Sequence, residues 1–160
     1  SAQKAWSFTT WRSVFRYPFA TRIETGAYRS GSHSRLAADD NLHYEVRSTT
    51  SGTRTSSWYG RFSGVTNALK SLRVAYRGRN SLSCGQTVSI WRWTTNSWVQ
   101  LDSRSVGATE VLVDKTVDGA PADYVSGTTG DGEVRVRVRC TKRSAFYSRG
   151  DLMKVTFTRP

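Results

Sequence analysis

The sequence predicts an all-β protein, an antiparallel β-sandwich of jelly-roll type, and three observations carry that expectation. Short runs with apolar and polar residues in alternation recur along the chain, as half-buried strands require. Clusters of Gly, Ser, Asn and Asp separate them at the spacing of a sandwich or barrel, and these connections are too short for parallel crossovers. After residue 20 no helical stripe exceeds a turn or two. The length of 160 residues suits one domain that buries a full core without metals or many disulfides. The expected division is an aromatic N-terminal arm over residues 1–20, packed on a single sandwich domain over 21–160.

The arm holds Trp6, Phe8, Trp11, Phe15, Tyr17 and Phe19 among polar and basic residues. Trp6 and Phe8 alternate as in a strand, whereas Trp11, Val14 and Phe15 have helical spacing, so a packed arm and an amphipathic turn both fit. Pro18 ends either form. Strands are then predicted over 42–48, 55–62, 71–76, 87–93, 98–102, 110–113, 134–140 and 153–158. The Ser- and Thr-rich stretch 48–57 is too short and too well bounded for a linker, and no repeat of solenoid period is present. In the strand 87–93, Val88 and Ile90 share one face while Trp91 and Trp93 take the other. The polar break Thr94-Thr95-Asn96-Ser97 returns the chain antiparallel through Trp98 to Leu101. In the strand 134–140, Val134, Val136, Val138 and Cys140 form a core face backed by Arg135, Arg137 and Arg139.

The formal charge is +12, with 24 Lys and Arg against 12 Asp and Glu, and arginine dominates the cations. Its planar fork suits bidentate contact with carboxylate, phosphate or sulfate groups, so a polyanionic partner is one implication. A soluble cationic surface with arginines paired across strands is the other. The same two alternatives apply to the ladder Arg135, Arg137 and Arg139: it clamps an anion, or it pairs with acids and stacks on aromatic rings.

No run approaches the ~20 apolar residues of a bilayer-crossing helix, so membrane insertion is not expected. The chain begins Ser1-Ala2-Gln3, as a mature product or a domain excised from a longer protein would. The two cysteines, Cys84 and Cys140, can pair only with each other; otherwise they are two buried thiols. A disulfide across that loop would stabilise by roughly 4 kcal/mol and imply an oxidising compartment, hence a secreted protein. His33 and His43 lack the close-spaced cysteines of a closed zinc site, and no such zinc is expected.

Taken in order, the segments LAADDNLHYEV, SSWYGRF, LKSLRVAYRGRNS, QTVSIWRWTTNSWVQLD, EVRVRVRC and GDLMKVTF resemble the jelly-roll accessory domains of secreted bacterial hydrolases. These are the carbohydrate-binding-module and galactose-binding-like architectures. The resemblance spans about residues 24–158 and lies in strand order, loop character and the acidic residue before the last strand. It implies a module appended to a catalytic domain, glycan binding through loop aromatics, and a structural calcium ion near the first loop and the last strand. By position, the calcium candidates it implies are Asp39, Asp40 and Asp151; the first two stand in a loop whose oxygens suit a hard cation. For sugar binding the candidates are Trp91, Trp93, Trp98, Trp58 and Tyr59, whose faces can stack on the C–H side of a pyranose. Tryptophan also fills sandwich cores, so at least half of them are expected to be structural.

Nucleophile elbows, His-Glu-x-x-His helices, phosphate-cradling glycine loops and Cys-x-x-Cys pairs are all missing, so no enzyme is expected. Glu45, Glu110, Glu133, Asp102 and Asp131 could in principle supply a glycosidase pair, yet each reads more simply as a strand or turn residue. Arg149-Gly150-Asp151 spells an adhesion tripeptide of a length that arises by chance. The leading expectation is therefore a noncatalytic secreted module that holds a partner enzyme on a polysaccharide. Its rivals are a polyanion binder for acidic polysaccharide or nucleic acid, working through the arginine ladder and a basic loop of Arg73, Arg77 and Arg79, and a structural or docking domain of a larger secreted protein.

Overall fold

The computed structural model describes residues 10–160. Trp6 and Phe8 lie outside the described residues. Within these the chain forms β1 (Arg12–Arg16), β2 (Ala20–Thr25), β3 (Ala27–Ser30), β4 (Tyr44–Arg47), β5 (Arg54–Thr66), β6 (Leu72–Asn80), β7 (Cys84–Arg92), β8 (Ser97–Val106), β9 (Val111–Thr116), β10 (Asp131–Lys142) and β11 (Tyr147–Arg159). Two short 3-10 turns, His33–Leu36 and Pro121–Tyr124, complete it. The strands build a five-stranded sheet in the order β2-β5-β10-β7-β8, and a six-stranded sheet in the order β3-β4-β11-β6-β9 with β1 also on β11. All these pairings are antiparallel, which makes the protein the expected all-β sandwich.

The core lies between the sheets and follows strand parity. From the five-stranded sheet come Trp58, Phe62, Val88, Ile90, Val134, Val136 and Val138, and from the other Leu72, Val74, Tyr76, Val113, Met153, Val155 and Phe157, all 0–1% exposed. Removing each such side chain from water is worth roughly 1.5–3 kcal/mol. Cys84 and Cys140 are joined in a disulfide with Cα atoms 5.8 Å apart, and with Phe146 they close a separate small apolar cluster.

All eight predicted strands are present, and several run longer: the strand predicted over 71–76 starts one residue later and runs nine residues as β6, and 134–140 is part of the twelve-residue β10. Residues 12–25 were expected partly as an arm, but β1 and β2 are integral strands. β11 is thirteen residues long and β4 covers only its Tyr147–Gly150 end, so β1 takes the edge left open, with Val14 opposite Phe157. β2 does the same for β5, with Ile23 opposite Trp58.

β11 is bulged between Gly150 and Leu152. Before the bulge the inward residues are Ser148 and Gly150; after it they are Met153, Val155 and Phe157. Asp151 is the extra residue and is 0% exposed. Glycine is required beside it, because a Cβ at Gly150 would stand 2.9 Å from Leu36 and 3.0 Å from the Trp58 ring.

Candidate functional site

The parity that sends Val88 and Ile90 inward points Trp91 away from the core, and the β7–β8 hairpin puts Trp98 directly opposite Trp91. Trp93 follows in the connecting turn. Its N–H donates to Asp123 O at 2.9 Å and neighbouring Arg92 pairs with Asp123 Oδ2 at 2.8 Å, so the 3-10 turn Pro121–Tyr124 anchors the base of this corner. On β10 the same alternation turns Arg135, Arg137 and Arg139 to the outer face, and on β5 it turns Tyr59 and Arg61 there. Arg137 stands opposite Tyr59 on one side and Ser89 on the other, which brings the arginine row against the aromatic row.

These side chains form one continuous layer. Trp98 packs at 5.2 Å from Trp91 and 5.6 Å from Tyr59, and Trp91 at 6.4 Å from Trp93, all between ring centroids and steeply inclined. The guanidinium of Arg137 lies 4.6 Å from the Trp98 ring, and that of Arg135 lies 4.7 Å from Trp93 and 5.5 Å from Tyr59. Such inclined pairs and cation–π contacts are attractive through the ring quadrupole. The tryptophans are half-buried against one another, and Tyr59, at 7%, is nearly covered.

Carboxylates are scarce in this layer. Arg61 and Arg135 share Glu133, with Arg61 Nη2 at 2.7 Å, and Arg137 reaches Glu24 at 3.5 Å. Burial alone would push the Glu133 carboxyl up, but the hydrogen bonds from Arg61 and Arg135 outweigh it and hold the group below its ordinary range. Arg22 and Arg139 are exposed and have no carboxylate partner among the described residues. The indole N–H groups of Trp91 and Trp93 likewise have no acceptor in the described protein. The layer thus carries donors and positive charge in excess of acceptors. A shallow cleft of about 540 Å³, lined by Arg22, Tyr28, His33 and Tyr44, opens at its β2 edge.

The structure separates the remaining candidates from this layer. Trp58 is 0% exposed and belongs to the core, where its indole N–H donates to Ser148 Oγ at 3.1 Å and its ring packs against Tyr44 and Tyr76; it offers no face to a ligand. Arg73, Arg77 and Arg79 are not a loop but part of β6 on the other sheet, where Arg73 binds Asp114 and Arg77 binds Glu110 and Asp39. The Arg149-Gly150-Asp151 tripeptide is strand, with Arg149 paired to Glu45 and Asp151 buried.

Asp39, Asp40 and Asp151 do lie near one another, but in unlike roles. The Asp40 N–H donates to Asp151 Oδ1 at 3.2 Å, while the Asp40 carboxylate accepts from Leu42 N–H at 3.1 Å. Asp39 faces Arg77 at 3.4 Å. Sequence analysis missed that His43 and Glu110 join this corner, His43 Nε2 lying 2.9 Å from Glu110 Oε1. Burial, with Asp39 and Glu110 close by, pushes the Asp151 carboxyl up to about 6. Burial pushes Glu110 up too, but hydrogen bonds from His43 and Arg77 leave it below its usual value. An imidazole and a backbone N–H facing these carboxylates do not make the all-oxygen shell of calcium, so the donor set does not fit that ion.

No family model and no curated protein matches the chain. Solved structures similar to it include the CBM32 of AlyQ in complex with 4,5-unsaturated mannuronic acid, at 14% identity and TM-score 0.45, with 89% of this chain and 96% of that chain covered. TmCBM61 in complex with β-1,4-galactotriose is similar at 11% identity and TM-score 0.41, over 95% of this chain and 89% of that one. The enzymatically active domain of bacteriophage CBA120 tailspike protein 4 is similar at 10% identity and TM-score 0.46, over 90% of this chain but 19% of that chain. No described helix is long and apolar enough to cross a membrane.

Proposed function

We propose that this protein is a noncatalytic, secreted binding module that holds an acidic polysaccharide across the outer face of its five-stranded sheet. The observation that carries this reading is the interleaving of guanidinium planes with indole rings: Arg135 between Trp93 and Tyr59, and Arg137 on Trp98. Indole faces and edges suit the C–H surface of a sugar ring, and arginine forks suit its carboxylates or sulfates. A neutral glycan would leave the excess donors and the unpaired Arg22 and Arg139 without use. Bound to its polymer, the module would raise the effective concentration of any enzyme joined to it, so a weak affinity suffices.

Affinity electrophoresis through polygalacturonate, alginate, a sulfated glycan, a neutral β-glucan and a neutral galactan tests this, with a single-stranded oligonucleotide as competitor, at low and high salt. Retardation by an acidic polysaccharide is expected, reduced but not abolished by salt and lost in Trp91→Ala/Trp93→Ala. Binding to the neutral polymers alone, or binding that vanishes in salt and ignores the tryptophan substitutions, would refute the mixed layer as the site.

A further inference from the structure

On the opposite sheet, three elements distant in sequence bring one histidine and two carboxylates together. His43 comes from the loop before β4, Glu110 immediately precedes β9, and Asp151 is the bulge residue of β11. A ring nitrogen of His43 and one carboxylate oxygen each from Glu110 and Asp151 lie within 4.8 Å of one another. Asp151 is 0% exposed, and while its Oδ1 accepts the Asp40 N–H, its buried Oδ2 has no hydrogen-bond partner. An unpaired carboxylate oxygen is among the most costly groups to leave in an interior, and native folds keep such groups where something binds them.

We propose that His43, Glu110 and Asp151 form a binding site for a divalent transition cation, with Zn²⁺ as its representative. The donor set decides the class of ion: one imidazole nitrogen with carboxylate oxygens suits zinc and its neighbours, whereas calcium selects an oxygen shell. The spacing agrees. Two ligands each ~2.1 Å from a metal stand roughly 3 Å apart, and His43 Nε2 and Glu110 Oε1, hydrogen-bonded at 2.9 Å in the ion-free protein, already have that separation for an ion that displaces the shared proton. The charge agrees as well. Glu110, Asp151 and adjacent Asp39 face Arg77, a local excess of two negative charges in a chain whose net charge is +12. Arg77, donating to Glu110 Oε2 at 2.8 Å, fixes that carboxylate with one oxygen turned to His43. Because the close-spaced cysteines of structural zinc sites are missing, the sequence alone gives no sign of it; the donors meet only in the fold.

Isothermal titration of the full chain with Zn²⁺, Mn²⁺ and Ca²⁺, alongside thermal unfolding, tests the site in the native protein and in His43→Ala, Asp151→Asn and the control His33→Ala. Expected are one equivalent of Zn²⁺ or Mn²⁺, a higher Tm with that ion, and Ca²⁺ much weaker. Affinity should fall by on the order of tenfold or more in His43→Ala and Asp151→Asn and stay unchanged in His33→Ala. Asp151→Asn keeps the shape of the side chain and removes the buried charge, so it decides the matter even if His43→Ala folds poorly, and near-UV circular dichroism reports folding of both. Ca²⁺ binding tighter than Zn²⁺, transition-metal binding indifferent to Asp151→Asn, or no saturable binding to the folded chain would overturn the assignment.

Discussion

Arg135→Ala separates the two halves of the proposed recognition layer. In the native protein this guanidinium lies 4.7 Å from Trp93 and 5.5 Å from Tyr59 and donates to Glu133. Removing it forfeits about 0.5–1 kcal/mol for each cation–π contact at a partly exposed site and about 0–1 kcal/mol for the ion pair. Glu133 keeps Arg61 on Oε1, at 3.0 Å and 2.7 Å, while its Oε2 loses Arg135, so the charge stays paired and the stability loss should be about 1–3 kcal/mol. For an acidic polymer the lost charge-assisted hydrogen bonds are worth about 1.5–3 kcal/mol, or about 10–100-fold in Kd. A neutral polymer that touches only the rings should lose far less. The assay is Kd by titration with a defined oligouronide and a neutral oligosaccharide, with urea unfolding of the same variant and Arg135→Lys as an intermediate that keeps charge without the planar fork. An equal loss for both ligands, or no loss for the oligouronide, would refute the division of labour between arginine and indole.

Three further outcomes follow from the geometry. Because Glu133 is held below its unfolded pKa, it contributes stability that is full above that value and is lost as pH falls through the folded one; urea midpoints from pH 7 to 3 should therefore drop less steeply in Glu133→Gln than in the native chain, and parallel curves would contradict this. Replacing Cys84 and Cys140 by serine opens a loop with a sequence separation of 56, which should cost about 4 kcal/mol, a fall of roughly 2 M in urea midpoint; an unchanged midpoint would show that the denatured chain is no freer without the bond and would refute the loop-entropy reasoning. Trp58→Ala should cost about 3–5 kcal/mol in unfolding experiments while its folded fraction binds polysaccharide like the native chain, since its ring never reaches the surface; a selective loss of binding would place Trp58 in the site after all.

Period-two alternation made most of the sandwich legible, because it reports which face of a strand is buried and the sheets here each have one wet face. It separated Val88 and Ile90 from Trp91, and the valines of β10 from its arginines, as the structure has them. It was silent about β1 and β2, whose burial is partial; they exist because β11 and β5 have edges to fill, a tertiary demand that no local pattern carries. Trp58 and Tyr59 are adjacent and equally aromatic, and only the register of β5 decides that one ring enters the core and the other lies under Arg135. The His43–Glu110–Asp151 corner was invisible for a similar reason, its members being joined through a bulge. The bulge shows only in the folded chain, where inward parity changes from Ser148 and Gly150 to Met153 and Val155 across the extra residue Asp151.

What favours the indole face as the docking surface is the setting of its arginines rather than their number. On the six-stranded sheet Arg73, Arg77 and Arg149 each hold a carboxylate and Arg29 joins Arg149 on Glu45, while Arg12, Arg16, Arg47, Arg79, Lys154 and Arg159 pair with none among the described residues. On the five-stranded sheet Arg22, Arg61, Arg135, Arg137 and Arg139 have only Glu24 and Glu133 between them. An approaching polyanion is drawn to the whole molecule over a Debye length of about 8 Å and meets cations without a carboxylate on both faces, but on this second face they stand beside three packed tryptophans. Stacking also prepares those donors. An unconstrained arginine gives up about 2 kcal/mol of rotamer freedom when a ligand orders it, whereas Arg135 and Arg137 are already held against Trp93 and Trp98, 4.7 Å and 4.6 Å from the ring centroids. Part of that ordering cost is met in folding, so the rings contribute to affinity twice, once as a surface for the sugar and once as the support that aims the guanidinium groups.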